Sequence, residues 1–346
     1  MITYDAAIAT RNRPDALSLS IPLLLSQSRL PEKIIIVDSS DDALPVQSLV
    51  ADLRKTTDIP ITLINSKPGL PLQRNIALEH VDSDVVFFPD DDSLVLPGAI
   101  EAMMRIYERD QDGIVGGVCS AEATEAPPGI LRTASTTYRM TPYEKFKQRT
   151  GKYRYAFERR FFLDPFLAHG RSRWSVHPAP NWLEMENAVL VEYMTGFRMS
   201  FRTEVIQKTG FHEPLGRYAL FEDTDASFGV ARTHLLVGAR NAQIYHHKVP
   251  SARSSGRALG MMQILNRSYV ILRWAEVNSN TISQIKRFSR YKIMQYLSAA
   301  RSQFGRDRLA GALAAYRKLP ELINAQNANL ESVYNQIKDA CIAPED

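Results

Sequence analysis

The sequence predicts an α/β fold in which a mostly parallel sheet is flanked by helices. Two observations carry this prediction: short β-branched segments alternate with longer amphipathic segments through the first 120 residues, and the short segments are apolar on both faces. Strands that are apolar on both faces need cover on both sides, and helices provide it in α/β proteins. The remaining residues are expected to add an insertion and a helical C-terminal extension.

The alternating part is expected to contain strands and helices in turn. The strands are Ala6–Ala9, Lys33–Val37, Ile61–Ile64, Asp84–Phe88 and Ile114–Val118. The helices are Asp15–Gln27, Val46–Thr56, Leu72–His80 and Gly98–Arg109. Pro97 precedes the last of these helices, close to its first turn, where proline is favoured. In sheets of this kind ligands bind beyond the carboxyl ends of the strands, so the residues that follow each strand are the first candidates for a site.

The alternation stops from about Ser120 to Asn187, where aromatic, basic and proline residues dominate, and we expect an insertion at about residues 120–190. The pattern then predicts strands over Val191–Phe201 and Leu235–Tyr245 and helices over Thr203–Thr209 and Glu222–His234. After Pro250 it predicts helices over Ser255–Trp274, Thr281–Ala300 and Leu309–Leu322. The predicted domains are therefore a sheet domain at 1–250 and a helical C-terminal region at 251–346.

Composition limits the class of protein. The two cysteines, Cys119 and Cys341, form neither a disulfide framework nor a metal-binding pair, which is typical of a reducing compartment. Neither a signal peptide nor an apolar stretch of membrane-spanning length is expected from the pattern. These features predict a cytoplasmic protein.

The net charge of +4 is unevenly distributed. Arg139–Arg173 contains ten Lys or Arg residues, and Lys286–Lys318 contains nine with a single acid, Asp307. The second segment predicts a basic amphipathic helix that could contact an anionic membrane from the inner face. A solvated helix face, or packing against a second subunit in a homo-oligomer, explains the same pattern. No RNA-binding motif is present, so nucleic acid is not an expected partner.

Three acidic residues, Asp90, Asp91 and Asp92, directly follow the predicted strand that ends at Phe88. Adjacent carboxylates repel one another, and Mg²⁺ or Mn²⁺ offsets that repulsion by taking oxygen ligands from one or two carboxylates and from substrate phosphates. Asp90 and Asp92 point to similar sides of an extended backbone and could serve one metal. The alternative is an acidic turn that caps a helix.

Two further clusters carry groups suited to catalysis. Glu222 and Asp223 open a predicted helix, where a carboxylate could accept the proton of an attacking hydroxyl; helix capping is the alternative. Asp223 is the candidate base, and Glu222 could orient it. His246 and His247 follow the last predicted strand, and a neutral imidazole could complete a metal site. The sequence favours His246 only narrowly.

Taken in order, these pieces resemble the inverting family 2 glycosyltransferases, which have the Rossmann-like GT-A fold, over approximately residues 4–250. The pieces are Thr10-Arg11, Asp38, Gly69–Asn75, Asp90–Asp92, Gly196–Arg202, Glu222-Asp223 and His246. The resemblance implies a metal-dependent enzyme that moves a sugar from a nucleotide diphosphate, by default a UDP-sugar, to an acceptor hydroxyl. The acceptor would be a saccharide, either a growing polysaccharide or one linked to a lipid, as in bacterial polysaccharide assembly.

The resemblance also implies roles for individual residues. Asp38 would bind the base of the donor, and Asp92 would bind Mn²⁺ or Mg²⁺ together with Asp90 and His246. Asp223 would be the base, assisted by Glu222. The other predicted nucleotide-sugar contacts are Thr10, Arg11, Arg74, Asn75, Asp90, Asp91 and Gly196. Trp182 and Arg198 are the candidates for the acceptor pocket.

Two other classes of function remain open on the sequence. A sugar-nucleotidyltransferase would also place carboxylates and a metal at the edge of an α/β sheet, but it should carry a glycine-rich basic segment at the first strand, which Ala9–Arg13 lacks. A non-enzymatic module that binds membranes or polyanions would explain the basic segments, but it would leave the acidic clusters without a role. Metal-dependent binding of a nucleotide sugar separates the enzyme from such a module.

Overall fold

The computed structural model describes residues 1–127, 130, 177–216, 218–248, 255–325 and 329–342. Most of the predicted insertion, with the basic segment Arg139–Arg173 and Trp174, lies outside the described residues. The described residues fall into two compact units: residues 1–127 with 177–248 form a sheet unit, and the helices from residue 255 onward belong to a helical unit.

The sheet unit alternates strands and helices through its first half, as the sequence predicts. Its strands are β1 (Tyr4–Thr10), β2 (Ile34–Asp38), β3 (Ile61–Asn65), β4 (Val85–Pro89), β5 (Ser93–Val95), β6 (Val115–Glu122), β7 (Ala188–Leu190), β8 (Arg198–Arg202) and β9 (Leu235–His246). Its helices are α1 (Pro14–Leu25), α2 (Leu44–Leu53), α3 (Leu70–Leu78), α4 (Ala99–Arg109), α5 (Thr203–Thr209) and α6 (Glu222–Val230). Short 3₁₀ helices lie at Asn181–Leu183 and Glu213–Leu215.

All of these strands belong to one sheet with the order β3-β2-β1-β4-β8-β6-β9-β5, and β7 pairs with β9. The first four strands in this order are parallel to one another. Strand β8 is antiparallel to both β4 and β6, whereas β6 and β9 are parallel. The register places Thr10 opposite Asp38 and Asp38 opposite Asn65, so the carboxyl ends of β1, β2 and β3 lie level at one edge.

The core lies on both faces of the sheet, and strand alternation distributes the side chains between them. On β1, Ala6 and Ile8 belong to one buried cluster, and Ala7 belongs to the other. On β2, Ile34 and Ile36 share the first cluster, whereas Ile35 lies in the second. Burial on both faces is the reason that these strands are continuously apolar.

The sheet unit differs from the sequence prediction in several places. The strand expected over Val191–Phe201 forms only at its end, as β8, because Gly196 lies in a loop whose backbone bonds to acidic and basic side chains. Strand β5 was not expected, since three residues are too few to show a period. Helix α6 stops at Val230, four residues before the predicted end.

The helical unit contains α7 (Gly256–Trp274), α8 (Ser279–Ser298), α9 (Gln303–Asn324) and α10 (Leu330–Ile342). Helices α7 and α9 pack so closely that a Cβ added at Gly260 would lie 1.8 Å from the carbonyl oxygen of Arg308. The last helix was not predicted. Among the described residues, none of the helices has both the length and the apolar character that crossing a bilayer requires.

Candidate active site

Polar side chains converge at the carboxyl ends of β1, β2 and β4. Thr10 and Asp38 are the last residues of β1 and β2, and both are buried. Gln73, on α3, donates from Nε2 to the carbonyl oxygens of Thr10 (2.9 Å) and Val37 (2.8 Å). This buried amide fixes the two strand ends against the start of α3. We call the assembly at this edge the sheet-edge site; its members are Thr10, Asp38, Arg74, Asp90, Asp91, Asp92, Gly196, Glu222, Asp223 and His246.

One oxygen of the Asp38 carboxylate is available to a ligand. Its Oδ1 accepts hydrogen bonds from the backbone N–H and the hydroxyl of Ser40, at 2.9 and 2.5 Å. Its Oδ2 is buried and has no hydrogen-bond partner among the described residues. A buried carboxylate oxygen without a donor is costly, so this atom is well suited to accept an N–H or O–H group from a ligand.

The loop after β1 is tied to the loop after β2. Arg11 pairs with Asp41 at 2.9 Å, and Asn12, with φ of 55°, donates from Nδ2 to the same carboxylate at 2.7 Å. The Asn12 amide and Arg11 lower the pKa of Asp41. Arg11 therefore stabilises the rim of the site through Asp41. Its contact with a nucleotide stays a prediction.

The three consecutive aspartates lie in the turn between β4 and β5, and Asp91 has its partners at the end of β1 and just after it. Its carboxylate accepts from the hydroxyl of Thr10 at 2.9 Å and pairs with Arg13 at 3.0 Å. Burial raises the pKa of Asp91 to about 7, although Arg13 opposes the shift. Asp91 therefore connects the end of β1 to the acidic turn.

Asp90, Asp92 and His246 form a group that could hold a metal ion. One ligand atom from each residue lies within 4.8 Å of the others, and His246 Nε2 is 3.3 Å from Asp92 Oδ1. The imidazole ring stacks on Phe197 with centroids 4.5 Å apart, which fixes its plane. Two carboxylate oxygens and one imidazole nitrogen suit Mn²⁺ or Mg²⁺ when phosphate oxygens or water complete the shell. His247 contributes a backbone N–H to the carbonyl of Asp92, so His246 is the histidine that lies in this group.

Arg74 is the centre of the sheet-edge site. Its side chain is only 2% exposed, and it pairs with Glu222 and, at 3.2 Å, with Asp90. It also donates to the carbonyl oxygen of Gly196 at 3.2 Å, and its guanidinium lies 5.4 Å from the ring centroid of Phe211. Helix α3 thus places Arg74 in contact with two carboxylates and a backbone carbonyl oxygen, and its contact with a nucleotide stays a prediction.

Gly196 occupies a place where a side chain would not fit without movement. A Cβ at this position would lie 3.2 Å from Glu222 Oε1 and 3.3 Å from Arg74 Nη2. The backbone N–H of Gly196 donates to Asp223 Oδ2 at 2.9 Å, and its carbonyl oxygen accepts from Arg74. The loop therefore joins the acidic pair to the arginine through its own backbone.

Glu222 and Asp223 begin α6 but have different surroundings. Glu222 is buried against Arg74, and burial raises its pKa to about 8, with Arg74 opposing the shift. Asp223 is half-buried, and its Oδ1 accepts from the backbone N–H of Thr224 at 2.7 Å. Because each carboxylate oxygen accepts more than one hydrogen bond, Asp223 retains capacity for a further donor. The residue before them, Phe221, has φ of 74°, which turns the chain into the helix.

Three predicted site residues have other partners in the structure. Asn75 uses both ends of its amide on Phe211, at 2.8 and 2.7 Å. Arg198 donates to the carbonyl oxygen of Ser120 and stacks on the ring of Phe197 at 5.2 Å. Trp182 lies in a 3₁₀ helix and packs against the hydrophobic core.

Three further residues hold members of the sheet-edge site in place, and the sequence pattern did not indicate them: Arg13, Gln73 and Phe197. Arg13 lies 3.0 Å from Asp91 and 3.7 Å from Asp92, so it balances the charge of the acidic turn. The position of Arg13, three residues after a strand end, was the available signal. The sequence carried no such signal for Gln73 or Phe197, because their roles depend on the atoms that pack against them.

Comparison with known proteins gives one family and one curated relative. A family model described as glycosyl transferase family 2 matches residues 5–167. The uncharacterized glycosyltransferase YwdF of Bacillus subtilis (strain 168) is 33% identical over 104 residues, which cover 29% of this chain and 37% of YwdF. The match thus spans little more than a third of that relative's length.

Solved structures share the fold at low sequence identity. TarS 1–349 of S. aureus, in complex with UDP-GlcNAc, has a TM-score of 0.52 and 12% identity, over 98% of this chain and 91% of that chain. The mannosyltransferase PcManGT of Pyrobaculum calidifontis, in complex with GDP-Man and Mn²⁺, has a TM-score of 0.52 and 14% identity, over 100% and 88%. The predicted fold class is confirmed.

Proposed function

Residues 5–167 of this chain belong to glycosyl transferase family 2, and from this premise we propose that the protein transfers a sugar from a nucleotide diphosphate to an acceptor hydroxyl. The observation that carries the proposal is the convergence on Arg74 of Asp90, which belongs to the candidate metal group, and Glu222, which precedes the candidate base. A donor site and a base are the two parts that direct displacement of a nucleoside diphosphate requires.

The donor would bind across the ends of β1 and β2. The free carboxylate oxygen of Asp38 would accept a hydrogen bond from the nucleobase or its ribose, and Thr10 lies opposite in the adjacent strand. UDP is the proposed nucleotide by family resemblance, and GDP is the competitor. The structural neighbours TarS and PcManGT bind UDP-GlcNAc and GDP-Man respectively.

Asp90, Asp92 and His246 would hold the divalent cation, Mn²⁺ or Mg²⁺. When bound, such an ion supplies positive charge that neutralises the departing diphosphate. Arg13, which contacts Asp91 and Asp92, holds the acidic turn in place and limits the repulsion among its carboxylates. PcManGT, which shares the fold, contains Mn²⁺.

Asp223 is the proposed general base, and Glu222 is a positioning residue. Asp223 is the more exposed of the two, and Gly196 and Thr224 orient its carboxylate without using all of its capacity. It would take the proton of the acceptor hydroxyl as that oxygen attacks the anomeric carbon, while the bond from that carbon to the diphosphate breaks. A single displacement of this kind inverts the anomeric configuration. Glu222 binds Arg74, which also contacts Asp90. Glu222 would thereby fix the position of the base relative to the acidic turn.

The acceptor is proposed to be a saccharide, free or linked to a lipid, and the reaction is placed in the cytoplasm or at the inner face of the cell membrane. These assignments follow from the family resemblance and from the basic C-terminal region. The contacts of Trp182 and Arg198 within the protein do not support the acceptor roles expected from the sequence.

The first test is calorimetric titration of UDP and GDP with and without Mn²⁺, using the wild type, Asp92→Ala and Asp223→Asn. We expect one nucleotide to bind only with Mn²⁺, Asp92→Ala to abolish that binding, and Asp223→Asn to leave it unchanged. In a transfer assay Asp223→Asn should lower turnover by about 10²- to 10⁴-fold, the usual contribution of a general base. Glu204→Gln, an exposed acid on α5, is the matched control.

Three results would contradict the proposal. Absence of binding to either nucleotide would remove the donor site, and normal turnover in Asp223→Asn would remove the base. Release of pyrophosphate from a nucleoside triphosphate and a sugar phosphate would identify a sugar-nucleotidyltransferase instead.

A further inference from the structure

Helix α8 and the turn that follows it carry cations without acids. Residues 277–306 contain six Lys or Arg residues and no Asp or Glu. Four of the cations, Lys286, Arg287, Arg290 and Lys292, lie on α8 itself. Surface helices usually intersperse both signs of charge, so a segment of one sign indicates an anionic partner.

Large apolar side chains are exposed on the same helix and just after it. Met294 is 59% exposed and Leu297 is 65% exposed, and Phe304, at the start of α9, is 48% exposed. An isolated exposed apolar residue is ordinary, but three within eleven positions of an acid-free basic segment are not. The combination differs from that of a surface that binds soluble polyanions, which needs cations alone.

Three of the four cations and both exposed apolar residues of α8 occupy one face of the helix, whereas Lys292 lies on the opposite side. At about 100° per residue, Arg287, Arg290, Met294 and Leu297 fall within an arc of about 80°. The opposite side is buried, through Thr281, Gln284, Ile285, Ser289 and Tyr296. A cleft of about 530 Å³ is lined by residues of this exposed side, among them Ser279, Ser283, Lys286, Arg287 and Arg290. We call Lys286, Arg287, Arg290, Met294 and Leu297 the basic face.

We propose that the basic face binds the surface of a bilayer that contains anionic phospholipid. Lys286, Arg287 and Arg290 bind lipid phosphates, with the hydroxyl of Tyr316 fixing Arg290 at 2.7 Å. Met294 and Leu297 enter the boundary between head groups and acyl chains. The inference concerns the helical unit alone and does not depend on the proposed transferase activity.

The size of the effect can be stated as a fold-change. Each Lys or Arg close to an anionic surface strengthens partition by about fivefold at moderate salt, and the contribution declines with ionic strength. Reversing Arg287 and Arg290 should therefore weaken binding by about 25-fold or more. Replacing Met294 and Leu297 by serine should weaken it by about tenfold, because their apolar area no longer leaves water.

The experiment is flotation of the full chain with vesicles of phosphatidylcholine alone and of phosphatidylcholine mixed with phosphatidylglycerol. The variants are Arg287→Glu/Arg290→Glu and Met294→Ser/Leu297→Ser. The matched control is Lys55→Glu/Lys208→Glu, which changes the net charge equally at exposed positions of the sheet unit. Thermal unfolding of each variant shows that it is folded before it is compared.

Binding to the mixed vesicles alone, retained by the control and lost by both basic-face variants, is the expected result. Equal binding to both kinds of vesicle, or to neither, would overturn the proposal. So would equal losses in the control and in Arg287→Glu/Arg290→Glu, which would reflect net charge only. If Met294→Ser/Leu297→Ser binds as the wild type does, the face is a polyanion site; if that variant converts a dimer to a monomer in light scattering, the face is a subunit interface.

Discussion

The sheet-edge site and the basic face of α8 both concentrate charge, but they do so in opposite ways. Arg74 is 2% exposed and contacts two carboxylates and a carbonyl oxygen. Arg287 lies on an exposed face that carries no acid. Buried charges depend on each partner, because an unpaired charge in the interior is costly, whereas exposed charges are screened by water and salt. The same residue type therefore affects stability in one region and association with partners in the other.

The largest change in stability is expected from Arg74→Met. Removing the cation leaves Glu222 and Asp90 without their buried partner, so that Glu222 must take up a proton or stay ionised in the interior, and we expect a loss of about 3–5 kcal/mol in the free energy of unfolding at neutral pH. Adding Glu222→Gln should restore part of that loss, since both charges are then absent. Urea denaturation of the two single variants and the double variant measures the coupling. Additive losses would mean that Arg74 and Glu222 do not act as a pair.

The same variant has a defined pH dependence. Burial already raises the pKa of Glu222 to about 8, and loss of Arg74 raises it further. The folded variant then keeps a proton that the unfolded chain releases above the ordinary pKa of a glutamate, so its stability falls as pH rises from about 5 to 8. The wild type should show the same sign, but its decline should level off near pH 8, whereas that of the variant continues to higher pH. A stability that increases over this range would show that Glu222 is ionised in the folded protein.

Gly196→Ala disturbs the same buried pair without changing a charge. The new Cβ would lie 3.2 Å from Glu222 Oε1 and 3.3 Å from Arg74 Nη2, so the pair must shift by a few tenths of an ångström. We expect a loss of about 1–3 kcal/mol in the free energy of unfolding. Gly69→Ala is the matched control, because its added Cβ would meet Leu72 at an ordinary 3.4 Å. Equal melting temperatures of the two variants would show that the loop adjusts freely.

The smallest change in the free energy of unfolding is expected on the basic face of α8. Arg287→Met repeats the Arg74→Met substitution on the basic face and should change the free energy of unfolding by less than about 0.5 kcal/mol. Urea denaturation in the same buffer allows direct subtraction. A loss similar to that of Arg74→Met would show that the basic face is part of the structural core of its unit, and the membrane proposal would lose its premise of an available surface.

Much of the fold could be predicted from the sequence because the signals are local. Strands β1, β2 and β4 end within one or two residues of their predicted limits, since a change from apolar to polar residues marks each end. The acidic turn at Asp90–Asp92 and the pair at Glu222 and Asp223 could be singled out for the same reason. Strand β5 and the loop at Gly196 could not, because pairing with distant segments determines both.

The types of residue in the candidate site could be predicted from the sequence, but the contacts that each residue makes could not. Asp90, Asp92 and His246 come together as expected, because each follows or ends a strand of one sheet. Arg198 and Trp182 contact other parts of the protein, since an aromatic or a basic side chain has many places to pack, and their acceptor roles stay predictions. Nothing in their sequence neighbourhood distinguishes those places.

The sequence by itself determined the α/β alternation, the match of residues 5–167 to the glycosyl transferase family 2 model and the chemical character of the groups at the strand ends. Only the tertiary structure decided that Arg74 pairs with Glu222, a residue 148 positions away, and that Asp91 pairs with Arg13. Secondary structure follows from periods of two to four residues, which a sequence displays directly. The partner of a buried charge follows from the order of strands in the sheet and from desolvation, and both exist only once the chain is folded.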